Sequence, residues 1–274
     1  MTATAPSSVD LRELVIGAGL LAGPANVIMQ LARPAVGYGV VESTVDSGKV
    51  TLHPIKRART TLSYLAVATL GTDEERALFR SGVNRSHAAV RSTESSPVSY
   101  NAFDPDLQLW VAACLYVGFE DTYRLLGKPL DPALRERLYR DSAVLGTTLQ
   151  VPPERWPADL AAFRRYWDAG LNQVSIDETV RGYLTDLILL RHLPLPARLA
   201  LGRLSRFITT GFLEQRFRDE MRLPWDARRQ RWFDRTMGLV RLVVRLSPPV
   251  LRAFPFNAYL ADLRWRIRTG RPLV

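Results

Sequence analysis

The chain has 274 residues, 47% of them apolar, and a formal net charge of +10. That length suffices for one large core, and a single cysteine, Cys114, excludes an internal disulfide and any thiolate zinc or iron–sulfur site built from one chain. The basic excess raises nucleic-acid binding, but no recognition motif is present, and the arginines are spread along the chain rather than gathered in one patch, so no specific nucleic-acid partner is expected.

The first residues, Met1 to Asp10, lack the basic region followed by an apolar core that a secretory signal needs, so residues 1–12 are read as a flexible tail and 13–274 as one helical domain. Leu14 to Leu21 is too short and glycine-rich to span a bilayer and is expected to pack against the fold. Gly17-Ala18-Gly19 has neither a preceding strand nor an acidic partner, so it is no dinucleotide fingerprint. Helical periodicity dominates the rest, with no sustained alternation that would demand a sheet, and the fold class is all-α.

His53 precedes Pro54 in a turn. On the helix that follows, Arg57 and Thr61 stand one turn apart on a face that continues through Tyr64, Leu65 and Ala68. Lys56, Arg59 and Thr60 offer a second register of basic and hydroxyl groups. In the run Val83 to Arg91, His87 shares an apolar helical face with Val83 and Val90, so its imidazole points inward. A backbone carbonyl, a buried carboxylate or a metal ion would each satisfy it there.

Asp104-Pro105 opens the clearest helix: Asp104 is the N-cap, Pro105 takes the first helical position, and Asp106 adds charge to the first turn. It should run past Trp110 and Cys114 to about Leu126 and stop at Gly127, with Pro129 beyond. Asp131-Pro132 opens another, carrying Leu134, Leu138 and Tyr139 toward Leu145. Val151 to Pro157 breaks the chain before an aromatic helix with Phe163, Tyr166 and Trp167. Pro194 and Pro196 end the Leu184 to Leu190 helix, where His192 sits at a terminus that suits a protonated imidazole. Arginines then recur among Trp225, Trp232, Phe233 and aliphatic residues: a solvated basic face, or one that rests on an anionic membrane.

Four segments, taken in order, resemble the MpaB and latex-clearing (rubber oxygenase) superfamily of haem b proteins: Gly39-Val40-Val41-Glu42, Arg57-Ala58-Arg59-Thr60-Thr61, His87-Ala88-Ala89-Val90, and Tyr100-Asn101-Ala102-Phe103-Asp104-Pro105. The resemblance implies haem b with His87 as proximal iron ligand, dioxygen activated on the opposite side, and oxygenation or oxidative cleavage of an apolar, isoprenoid or lipid-like substrate. It implies Arg57, Thr61 and Glu42 as catalytic candidates, and Arg57, Thr61, Arg91 and Trp110 beside His87 as haem contacts. Leu65, Leu109 and Leu115 would join Trp110 in an apolar wall, and Arg85, Arg91 or Lys56 would meet the propionates. Thr60 stands where latex-clearing proteins carry lysine, which keeps open a non-catalytic haem- or lipid-binding role. A cytoplasmic location, with peripheral membrane contact through the basic carboxyl-terminal region, completes the expectation.

Overall fold

The structure is a computed structural model, and it describes residues 15–45, 52–127 and 131–274. The tail at 1–12, Leu14 and Pro129 lie outside the described residues. Every regular element described is helical; the one β-type contact is an isolated antiparallel bridge between Arg91 and Asn101.

A 3-10 turn, Gly17–Ala22, leads into α1 (Gly23–Leu31) and α2 (Pro34–Val41). Next come α3 (Pro54–Leu70), α4 (Asp73–His87) and α5 (Pro105–Leu126). The middle of the chain forms α6 (Pro132–Asp141), α7 (Val144–Thr147), α8 (Leu160–Leu171) and α9 (Glu178–Ile188). The last third is α10 (Leu195–Phe212), α11 (Gln215–Glu220), α12 (Ala227–Leu246), α13 (Pro249–Ala253) and α14 (Phe256–Arg268).

Local signals set the ends of these helices. The Asp104 carboxylate accepts from the N–H groups of Asp106 and Leu107 at the start of α5, and Gly127, at φ +61°, closes it in the left-handed conformation that glycine adopts without strain. Thr72 and Glu75 form a reciprocal capping box on α4. The helix begun at Pro132 stops at Asp141 instead of continuing to Leu145. The Ser142 hydroxyl donates back to the Leu138 carbonyl, and the chain restarts as α7.

The helix α5 is the wall around which the molecule is built. Its residues Trp110, Ala113, Cys114 and Tyr116 are buried in the main core with Met29, Tyr139, Phe163 and Trp167. Trp110 stacks on Trp167 with ring centroids 5.0 Å apart and donates from Nε1 to the carbonyls of Met29 and Gln30, at 3.1 and 3.2 Å. Gly170 makes room for that indole, since a Cβ there would come within 2.5 Å of the ring. A second apolar cluster joins Val15, Val67, Phe79 and Val83 to Phe256, Leu260 and Leu263, fastening α14 across α3 and α4.

Candidate functional site: an apolar cavity with an unpartnered imidazole

A cavity of about 680 Å³ lies between α3, α4, one face of α5, and the neighbouring segments of α1, α2 and α9. From α5 it takes Leu107, Val111, Leu115, Gly118 and Thr122, which recur at helical spacing and so share one face. Such a volume, lined mainly by apolar groups with a few polar ones, is typical of a small-molecule or cofactor site.

His87, the last residue of α4, reaches this cavity, as do Val83 one turn before it and Val90 just after it. Val90 is beyond the helix because the chain turns at Ala88 to pair with the following loop: Ser92 N–H donates to the Tyr100 carbonyl and Ala102 N–H to that of Val90, both at 2.9 Å. The Phe103 ring stands edge-on to the imidazole, centroids 6.2 Å apart. Neither ring nitrogen of His87 has a hydrogen-bond partner among the described residues, and Nδ1 is fully shut off from solvent. The acceptor expected to fix its tautomer is therefore not supplied by the described chain. Burial, reinforced by the nearby charge of Arg57, pushes the pKa of His87 down to about 4, so the ring is neutral at physiological pH with a free lone pair.

Arg57 and Thr61 both line the cavity, one turn apart on α3. Much of each side chain touches open space. For Arg57 that space is the cavity, since protein encloses the guanidinium closely enough for burial to lower its pKa. No carboxylate pairs with it among the described residues; the nearby group that favours its charge is the Tyr183 phenol. In the alternative register Lys56 and Thr60 also touch the cavity and Arg59 does not. The Thr60 hydroxyl is engaged, donating to the Lys56 carbonyl at 3.1 Å.

Three expected site residues stand elsewhere. Trp110 is held in the core by Trp167 and two backbone carbonyls and does not line the cavity; with Leu109 it faces away, leaving Leu65 and Leu115 as the wall. The reason is the helical period, which turns Trp110 about 100° per residue away from the Val111 and Leu115 face. Arg91 is in the bridge with Asn101, outside the lining, and Arg85 donates to Ser81, so Lys56 alone of the proposed propionate partners touches the cavity. Glu42 lies just outside: its Oε2 accepts from Ser96 Oγ at 2.7 Å and from the Tyr100 hydroxyl at 2.8 Å. That carboxylate ties the loop carrying Tyr100 to Phe103 onto the end of α2, and it fixes the floor of the site rather than facing it.

Two further residues, Tyr183 and His192, line the cavity. Tyr183 on α9 sits one turn before Leu187, an inward spacing that was legible. His192 follows that helix, and burial lowers its pKa, the opposite of the charged helix-end imidazole expected.

The donor set suits haem b. The buried, neutral imidazole of His87, without a partner among the described residues, would hold the iron, apolar walls would enclose the ring, and Lys56 and Arg57 would offer positive charge to the propionates. Among the described residues no three His, Cys, Asp or Glu side chains gather as a metal held by protein alone would need.

Among the described residues, helices enclose an apolar cavity reached by His87, His192 and Arg57, an architecture that suits a small-molecule or cofactor pocket. Residues 14–242 match the family described as ER-bound oxygenase mpaB/B'/rubber oxygenase, catalytic domain, and the chain belongs to that family. It is 52% identical over 255 residues to uncharacterised proteins of Mycobacterium bovis and of Mycobacterium tuberculosis, covering 93% of this chain and all of each relative. No solved structure gives a significant match.

Proposed function

We propose that the chain, acting through residues 13–274 as one catalytic domain, is a haem b dependent oxygenase with His87 as proximal ligand. When bound, the haem supplies the redox chemistry that lets dioxygen oxygenate or cleave a carbon–carbon double bond of an apolar, isoprenoid or lipid-like substrate. One observation carries this reading: an apolar cavity holds an imidazole and a guanidinium that have, among the described residues, neither a hydrogen-bond partner nor a counter-ion. Both arrangements cost stability unless a ligand completes them.

His87 offers its lone pair without first losing a proton, since its pKa lies near 4. Arg57 remains charged at any physiological pH and stabilises negative charge that develops in the cavity, with Thr61 beside it as a hydroxyl donor. Leu65, Leu115, Val111 and Phe79 exclude water and accept an apolar substrate. A reducing, cytoplasmic setting suits a chain whose one thiol is buried. The arginine-rich carboxyl-terminal region is read as touching a membrane, from which such a substrate would come.

Oxygen uptake by the haem-loaded protein, driven by an unsaturated isoprenoid or lipid and matched by loss of that substrate, is the expected result. Arg57→Met is expected to lower kcat about tenfold or more with haem retained. A second reading, haem or lipid binding without turnover, draws on the engaged hydroxyl of Thr60 where latex-clearing proteins carry lysine. Stable binding with no oxygen uptake across that substrate class would establish it instead.

A further inference from the structure

A helix on the surface of a globular protein has one apolar stripe, facing the core. Helix α12 has two. Phe233, Met237 and Val244 are buried, while Leu239, Leu242, Val243 and Leu246 recur at i, i+3, i+4 and i+7 on the solvent side, 53–77% exposed. The exposure continues along the chain through Val250, Leu251 and Phe254, each more than half exposed. It continues sideways on α10, which packs against α12 and leaves Leu195 and Leu199 open. Single exposed leucines need no explanation, but a continuous face of this kind marks an interaction surface.

Its charges decide what covers it. Arg203 and Arg206 on α10, and Arg231, Arg235 and Arg245 on α12, are exposed and form no ion pair among the described residues. The acidic groups nearby are already engaged, Asp226 by Arg229 and Asp234 by Gln230. Trp232 is 53% exposed with the Arg235 guanidinium over its ring at 5.4 Å. A second copy of the chain on this face would set arginine against arginine, which opposes association. A bilayer with anionic headgroups matches all three features: leucines enter the acyl boundary, arginines meet phosphates, and the indole lies at the interface.

We propose that α10, α12 and α13 form a face that docks on an anionic phospholipid bilayer. This names the surface for the membrane contact read above and rests on that reading. The face adjoins the apolar cavity. The 3-10 turn Gly17–Ala22 packs against α10 and α13 and contributes Gly19, Leu20 and Ala22 to the cavity wall. Phe254 stands on the face, and Phe256, two residues on, lines the cavity. A molecule dissolved in the bilayer would thus lie one protein layer from the site.

The test is flotation of the purified full chain with vesicles of phosphatidylcholine, alone and mixed with phosphatidylglycerol, which needs neither haem nor turnover. Wild type is expected to float with the mixed vesicles and to be released by salt. The triple variant Arg231→Gln, Arg235→Gln, Arg245→Gln should bind about a hundredfold more weakly. Leu242→Ser, Leu246→Ser and Leu251→Ser together should lose about tenfold per leucine, with helicity by circular dichroism unchanged in both variants. If wild type ignores the mixed vesicles, the membrane contact itself falls. Should the leucine variant float like wild type, contact stands but this surface is overturned. A wild-type dimer that the leucine variant turns into a monomer would likewise overturn it, by assigning the face to a second copy. None of these outcomes touches the oxygenase reading, which haem binding tests separately.

Discussion

Helix α5 divides two cavities of nearly equal volume, about 680 Å³ on the His87 side and about 690 Å³ on the other. The second is the more charged, yet its enclosed charges answer one another. Arg135 donates to Glu120 from Nε and Nη2 at 2.9 and 2.7 Å, Arg124 to Asp121 at 3.1 Å, Trp167 to Glu214 at 3.1 Å, and Arg241 to the Leu125 carbonyl at 3.1 Å. On the apolar side there are fewer charged groups, and His87 and Arg57 have no partner among the described residues. Charge density alone therefore does not mark the functional pocket. What sets the proposed site apart is a cavity that brings together, in an apolar setting, an imidazole and a guanidinium with no partner among the described residues.

Five perturbations would break or sharpen this contrast. The largest effect is expected at the dividing wall: Trp110→Ala should cost about 3–5 kcal/mol in chemical denaturation, since the indole is fully buried and bonded to backbone. On the charged side, Arg135→Met should cost about 1–2 kcal/mol, because it removes both guanidinium bonds to the partly buried Glu120 and leaves that carboxylate only the Tyr116 hydroxyl and the more distant Arg124. The apolar side should respond in the opposite sense: Arg57→Met is expected to raise the stability of the haem-free protein slightly, by at most about 1 kcal/mol because solvent reaches and screens the exposed side chain. A loss of stability there would mean that Arg57 has a counter-ion, and the contrast would fail.

The two sides also predict opposite pH dependences. His87 titrates near 4 in the folded protein and near 6.5 unfolded, so between those values the unfolded chain binds the extra proton, and stability is lost as pH falls through that window. Asp121 is pushed up to about 7 by burial from 3.8, so the folded chain binds the extra proton, and stability is lost as pH rises from about 4 through 7. Thermal unfolding across pH should show the acid-side loss vanish in His87→Leu and the neutral-side loss shrink in Asp121→Asn. The smallest effect is assigned to Glu42→Gln, about 1 kcal/mol with haem affinity changed less than tenfold. A collapse of turnover in that variant would instead return Glu42 to the reacting groups.

Much of the fold was legible because local chemistry decides it. Asp104-Pro105 and Gly127 bound α5 where the sequence set them, since a cap and a left-handed turn act within a few residues. The inward imidazole of His87 and the shared face of Arg57 and Thr61 also follow from a 3.6-residue period. Orientation about α5 was not legible. Its middle is apolar all round, so nothing in the pattern tells that Val111 and Leu115 face the cavity while Trp110 faces Trp167. The partners of Glu42 were not legible for a similar reason: Ser96 and Tyr100 lie more than fifty residues away, and no local signal names them. His192 was read from its helix end, whereas its burial is set by tertiary packing.

The central claim is that the unpartnered imidazole awaits an iron porphyrin. The most direct measurement is a haem titration of the purified protein followed by its Soret band, wild type beside His87→Ala, with circular dichroism confirming that both are folded. A saturable, one-to-one Soret band in wild type, lost or displaced with at least about a hundredfold weaker binding in His87→Ala, is the predicted result. Equal uptake by the two proteins, or none by either, would contradict it.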